Sequence, residues 1–125
     1  MAIKLPPFGS FRDALNKAGV KTNSARGFWG GVTEDDDIVV TIWMHRKRPE
    51  GDRWPISKPR TNHGRLKDMW ELGRIAPTVT VKVIMVRQRK DGSVKDAALL
   101  PGRWEIVDMV PRDDGKGVNG IVQQA

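Results

Sequence analysis

The hydrophobic period changes several times along the chain, and each change marks an element. Ser10 followed by Phe11-Arg12-Asp13-Ala14-Leu15-Asn16-Lys17-Ala18-Gly19 predicts a short helix. Ser10 is placed to cap its N-terminus with Asp13 answering, Gly19 stops it, and Phe11, Leu15 and Ala18 face the core. Beyond a polar turn at Thr22-Asn23-Ser24, the run Phe28-Trp29-Gly30-Gly31-Val32 predicts a strand whose paired glycines mark a bulge or a close approach. Residues 33–37 form its turn. Ile38 to Met44 is β-branched and apolar at both parities, the pattern of a central strand buried on both faces.

The pattern then breaks. Residues 45–61 hold Pro49, Pro55, Pro59 and Gly51 among basic residues, so they are expected as a long loop that neither a helix nor a central strand can cross. Asn62 is placed to cap a second helix over His63–Arg74, with Leu66, Met69, Trp70 and Ile75 at helical spacing and Gly73 and Pro77 ending it. From Thr78 to Arg87, Val79, Val81, Val83 and Met85 alternate with Thr80, Lys82, Ile84 and Val86, a strand passing from half-buried to fully buried. Lys90-Asp91-Gly92-Ser93 turns it toward a strand at Val94–Leu100. Pro101-Gly102 turns again before Arg103–Val110, and Asp113-Asp114-Gly115-Lys116-Gly117 precedes a last strand at Val118–Gln123. These elements predict an α+β fold: a strongly bent antiparallel sheet or small open β-barrel of five to six strands in meander order, with two short helices.

Length and composition narrow the class. A chain of 125 residues, 38% apolar and 30% charged, suits a single domain over 1–125 with one core. With no Cys, a disulfide scaffold, a thiolate zinc site, an iron–sulfur cluster and a cysteine nucleophile are all excluded. Met1-Ala-Ile-Lys-Leu-Pro-Pro lacks the apolar region of a signal peptide, and no apolar stretch approaches a membrane span, so the expected setting is the cytoplasm, away from membranes.

Charge changes the picture most. The net +7 is uneven: residues 1–44 are neutral, residues 45–67 carry +6, and residues 82–95 carry +4. The first basic segment comprises His45, Arg46, Lys47 and Arg48, then Arg53, Trp54 and Pro55, Lys58 and Arg60, and Arg65 and Lys67 in the second predicted helix. Cations neutralise phosphates and release counterions, and an exposed indole offers a face to any base. The same residues would equally serve as a solvated crossing with Trp54 folded back as a lid on the core. Around Asn62, His63 and Gly64, free backbone N–H groups at a helix start stand beside Lys58, Arg60 and Arg65, an arrangement that attracts anions. The second basic segment, Arg87, Gln88, Arg89 and Lys90 with Lys82 and Lys95, falls at a strand end and hairpin tip. It would grip a backbone from the other flank only if it projects on the same side as the first.

Other chemistry is thin. Glu34-Asp35-Asp36-Asp37 lacks the spacing and glycine placement of an oxygen-ligand metal loop and reads as a turn. Two His with Asp68 and Glu71 nearby form no complete ligand set, and no P-loop, nucleophile elbow or cofactor motif is present, so no metal and no cofactor are expected. Trp29, Trp43, Trp70 and Trp104 belong in the core, although Trp29, Trp43 and Trp104 lining a barrel mouth would suit an extruded base.

The leading expectation is therefore a non-enzymatic nucleic-acid-binding domain that holds phosphates through its basic loop and the following helix start. The want of an aromatic-rich single-strand motif favours DNA over RNA. The competing expectation is a small inhibitor or adaptor whose basic loop docks on an acidic protein surface. A metal-dependent nuclease stands behind both.

Overall fold

The computed structural model describes residues 5–20, 30–33, 35, 37–51, 53–59, 79–111 and 117–124. Its one α-helix among these, α1 (Phe11–Ala18), starts where Ser10 Oγ accepts a hydrogen bond from the Asp13 N–H at 3.0 Å. Gly19 closes it in the left-handed region at φ 87°, where its N–H bonds Asn16 O. Ala14, Leu15 and Ala18 are buried and Phe11 packs at their edge, as the spacing predicts. The second predicted helix lies outside the described residues.

Seven strands follow: β1 (Gly30–Val32), β2 (Ile38–Trp43), β3 (Arg53–Pro59), β4 (Val79–Gln88), β5 (Val94–Leu99), β6 (Trp104–Pro111) and β7 (Gly117–Gln124). A 3-10 turn, Met44–Arg46, follows β2 directly. Six strands run in the order β1-β2-β4-β6-β7-β3, with β5 as a seventh beside β4. The sheet is open. It is also mixed, because β2 pairs parallel with β4 from Val39↔Lys82 to Trp43↔Val86, and this corrects the all-antiparallel meander. A parallel pair requires a crossover, and β3 falls between β2 and β4 in sequence while pairing with β7, so sequence neighbours are not all sheet neighbours.

β2 and β4 are buried on both faces, and their two parities feed two cores. Ile38, Val40 and Ile42 of β2 join Val81, Val83 and Met85 of β4 in a cluster with Trp54, Ile56, Leu100, Trp104, Ile106 and Val122. The other parity, Val39 with Ile84 and Val86, packs under α1 against Ala14, Leu15, Ala18 and Ala97. Side chains of β2 and β3 thus meet inside the first core although the strands are not paired, which shows how far the sheet curls. Trp43 packs on the helix side and Trp104 in the other cluster, so these two indoles do not line one barrel mouth.

One edge of β4 is shared. β5 pairs with its C-terminal half, ending at Ile84↔Leu99, and β6 with its N-terminal end, starting at Val81↔Trp104. The four residues Leu100–Arg103 therefore span only Lys82 and Val83, and this bulge holds through Leu100 N–H to Val83 O at 2.9 Å. Trp104 Nε1 donates back to Pro101 O across the bend.

The expectation of an unbroken loop over 45–61 fails at β3, which pairs antiparallel with β7 along its whole length. Proline is tolerated there because β3 is an edge strand. Arg53 directs its N–H to Gly51 O and its carbonyl to Arg48 N–H, both away from β7. Strand alternation sets the peptide groups of Pro55, Ser57 and Pro59 on that same outer side, where the missing N–H groups break no ladder bond.

The chain before α1 is pinned to β5. Gly9 exchanges both backbone bonds with Ala97, and Phe8 lies under the Arg87 guanidinium, 4.2 Å from it. Arg87 in turn donates from Nε to Asp96 Oδ1 at 2.6 Å and from Nη2 to Asp96 Oδ2, a two-point grip between paired positions of β4 and β5. Hydrogen bonding to Arg87, followed by its charge, holds the Asp96 carboxyl below the usual aspartate range. A lowered folded-state pKa means stability that is complete above the unfolded value of about 3.9 and is lost as pH falls through the folded value. Urea midpoints of the wild-type chain should therefore drop between about pH 5 and 2 more steeply than those of Asp96→Asn, which lacks this component; parallel curves would show that the pair contributes nothing.

A second test concerns the β6–β7 pairing, whose register slips between Val107 and Val110. Buried Gly120 lies opposite, and a Cβ there would stand 2.8 Å from Ile106 Cγ2 and 3.3 Å from Val107 O. Gly120→Ala should cost about 1–3 kcal/mol in urea denaturation, the range for overpacking.

Candidate nucleic-acid interface

Because β2 and β4 run parallel, their C-terminal ends lie side by side. β2 passes into Met44–Arg46 and the exposed Lys47 and Arg48, while β4 passes into the hairpin tip at Arg89–Ser93. The two basic segments, far apart in sequence, therefore meet at one end of the sheet. A groove of about 480 Å³ runs between them, lined by Met44, His45, Arg87, Gln88, Arg89, Lys90 and Lys95. Met44 is 37% exposed in it, and the His45 ring stands edge-on to Trp43 with centroids 6.3 Å apart.

Both rims are held by backbone and side-chain bonds rather than by burial. In the hairpin, Asp91 Oδ1 accepts from both the N–H and the hydroxyl of Ser93, which pulls its carboxyl below the usual range. Arg89 N–H donates to Ser93 O, and its guanidinium to Val94 O at 2.6 Å. Gly92, at φ 91°, lets the turn close. In the other rim, Arg48 N–H to Arg53 O closes the residues between them into a tight loop. The backbone that carries these cations is thus already ordered, which lowers the entropy lost on binding.

A second groove, of about 470 Å³, opens on the other side of the 3-10 turn. Arg46 and Arg48 line it with Pro55, Ile56, Asp108, Asn119, Gly120 and Ile121. Asp108 occupies the β6 bulge at φ 54°, a left-handed conformation that few side chains other than Asn and Asp adopt.

The predicted site residues divide accordingly. Arg46, Lys47, Arg48, Arg89 and Lys90 are exposed at the shared end. Trp54 is a correction: it is 3% exposed, because β3 alternation turns it inward to pack edge-on against Trp104 at 5.9 Å, and it has no face to offer a base. Arg53 is engaged as well, donating to Asp108 Oδ2 at 3.3 Å with Glu50 at 4.0 Å. Arg87 lines the first groove but its guanidinium is held by Asp96 and Phe8, so it shapes the wall and leaves anion contact to its neighbours. The side chain of Lys58 and residues Arg60, His63, Arg65 and Lys67 lie outside the described residues, as does the anion site expected at the second helix.

Sequence reasoning gave no weight to Asp108 and Asn119 as site residues. The one local signal was the adjacent apolar pair Ile106-Val107 followed by Asp108, which interrupts the strict alternation of β6. Of the acidic run, Asp37 is tied into the fold: its N–H bonds Thr33 Oγ1, and its carboxylate holds Lys82 at 3.7 Å and Arg103 at 3.5 Å. Among the described residues no three His, Asp or Glu side chains converge as metal ligands, and no helix is long and apolar enough to cross a membrane.

No family model, no curated protein and no solved structure matches this chain.

Proposed function

We propose that the chain is a nucleic-acid-binding domain that takes a phosphate backbone across the cationic end of its sheet. The observation that supports this reading best is the parallel register of β2 and β4, which brings the segment carrying Arg46, Lys47 and Arg48 to the same end of the sheet as the hairpin carrying Arg89, Lys90 and Lys95, against only Glu50, Asp52 and Asp91 in the sequence of those loops. Like charges gathered at one end of the sheet repel one another, and a polyanion lying across them relieves that repulsion while releasing its own counterions. The exposed Met44 and the His45 ring on the groove floor add apolar and flat contact surface of the kind that sugars and bases meet.

Fluorescence anisotropy with labelled double-stranded DNA, single-stranded DNA and RNA at several salt concentrations tests the reading. Binding should weaken with salt for at least one polymer. Replacing Arg46, Lys47 and Arg48 by Ala, and separately Arg89, Lys90 and Lys95, should each flatten the log K against log salt slope by about two to three, because each phosphate no longer neutralised removes about 0.7–0.9 from it. If neither set changes the slope, phosphate is not held here. No binding to any polymer at low salt would refute the reading in favour of an acidic protein partner.

A further inference from the structure

We propose that the groove between the 3-10 turn and the β6 bulge is a reading pocket for an unpaired guanine in single-stranded DNA, a proposal that rests on the nucleic-acid reading of the adjoining cationic end. Its volume of about 470 Å³ lies within the span of about 300–1,000 Å³ typical of small-molecule sites. Its chemistry differs from that of the first groove. The hairpin groove is walled by cations and suits any phosphate, whereas this one combines two guanidiniums with a carboxylate, an amide and an apolar floor.

Each part has a matching feature on a guanine nucleotide. Pro55 and Ile121 stand opposite each other across β3 and β7, both half-buried, and give a flat apolar surface for a base to lie on. Asp108 is 71% exposed, and its Oδ1 has no partner among the described residues, while Oδ2 receives Arg53. An ionised carboxylate only accepts, and it offers about four lone-pair positions. Guanine alone among the DNA bases sets two kinds of N–H donor, its ring N1–H and exocyclic N2 amine, side by side on the edge that is free when the base is unpaired. Adenine, cytosine and thymine each present acceptor lone pairs beside their donors there, which a carboxylate repels. Asn119 supplies amide donors for the guanine carbonyl, and Arg46 and Arg48 on the opposite wall suit the flanking phosphates.

The backbone supports the assignment. A bulge re-aims the side chain it carries, and Asp108 accepts a conformational cost at φ 54° in return for a position on the groove wall. Arg53, partly buried, then braces the carboxylate from behind.

Three labelled twelve-residue strands decide it: all thymidine, the same with two central guanosines, and the same with inosines, which lack the N2 amine. The wild-type chain should bind the guanosine strand at least about tenfold more tightly than the thymidine strand, with inosine between them. Asp108→Asn, which tolerates the left-handed backbone, should bind thymidine no more weakly, since a negative charge is gone, yet lose the guanosine preference to within about twofold. Asp108→Gly keeps the backbone at φ 54° without the side chain and should behave alike, with circular dichroism confirming that both variants fold. Arg46→Ala with Arg48→Ala should weaken all three strands together. Equal wild-type affinity for the three strands, or a preference that survives in both Asp108 variants, would overturn the pocket while leaving the cationic end as a phosphate binder. Absence of binding to every strand at low salt would overturn both.

Discussion

The parallel pairing of β2 with β4 is the constraint from which the rest follows. Two adjacent strands with apolar residues at both parities must be covered on both sides, so α1 closes one face and the curl of β6, β7 and β3 closes the other. The crossover that a parallel pair demands also decides where charge ends up. Antiparallel neighbours would have sent the residues after β2 and the β4–β5 turn to opposite ends of the sheet. Parallel ones bring them together, so two basic segments far apart in sequence share one end of the sheet.

What could be read from the sequence was what local chemistry determines. Ser10, Asp13 and Gly19 act on backbone groups within a few residues, so α1 was legible to its caps. Ile38–Trp43 and Val79–Gln88 announced themselves by composition, and Lys90–Ser93 by turn residues. Strand partnership was not legible, because pairing is decided between segments far apart. β3 shows the difficulty best. Its prolines forbid a central strand but not an edge one, and nothing between 53 and 59 states which edge it will occupy. Yet Trp54 and Ile56 alternate with Arg53, Pro55 and Ser57, a period of two that the prolines and the charge drew attention away from.

The candidate site was legible as charge and illegible as geometry. Counting Lys and Arg along the chain located both basic segments, but counting cannot separate cations that brace the fold from those that line its rims. Arg87 on Asp96, Arg53 on Asp108, and Lys82 and Arg103 on Asp37 hold strands and turns together. Arg46, Arg48 and Lys90 instead sit exposed where the two loops meet, Arg89 does both by bonding Val94 O from an exposed position, and only the folded arrangement sorts one group from the other.

The outer edge of β3 has a further effect. With Pro55 and Pro59 on its outward positions, that edge shows carbonyl acceptors but only the Ser57 N–H as a donor between them, so a second strand laid alongside would find almost nothing to complete its ladder. Along β3, therefore, the sheet is closed to growth by strand addition even though no further strand among the described residues covers it.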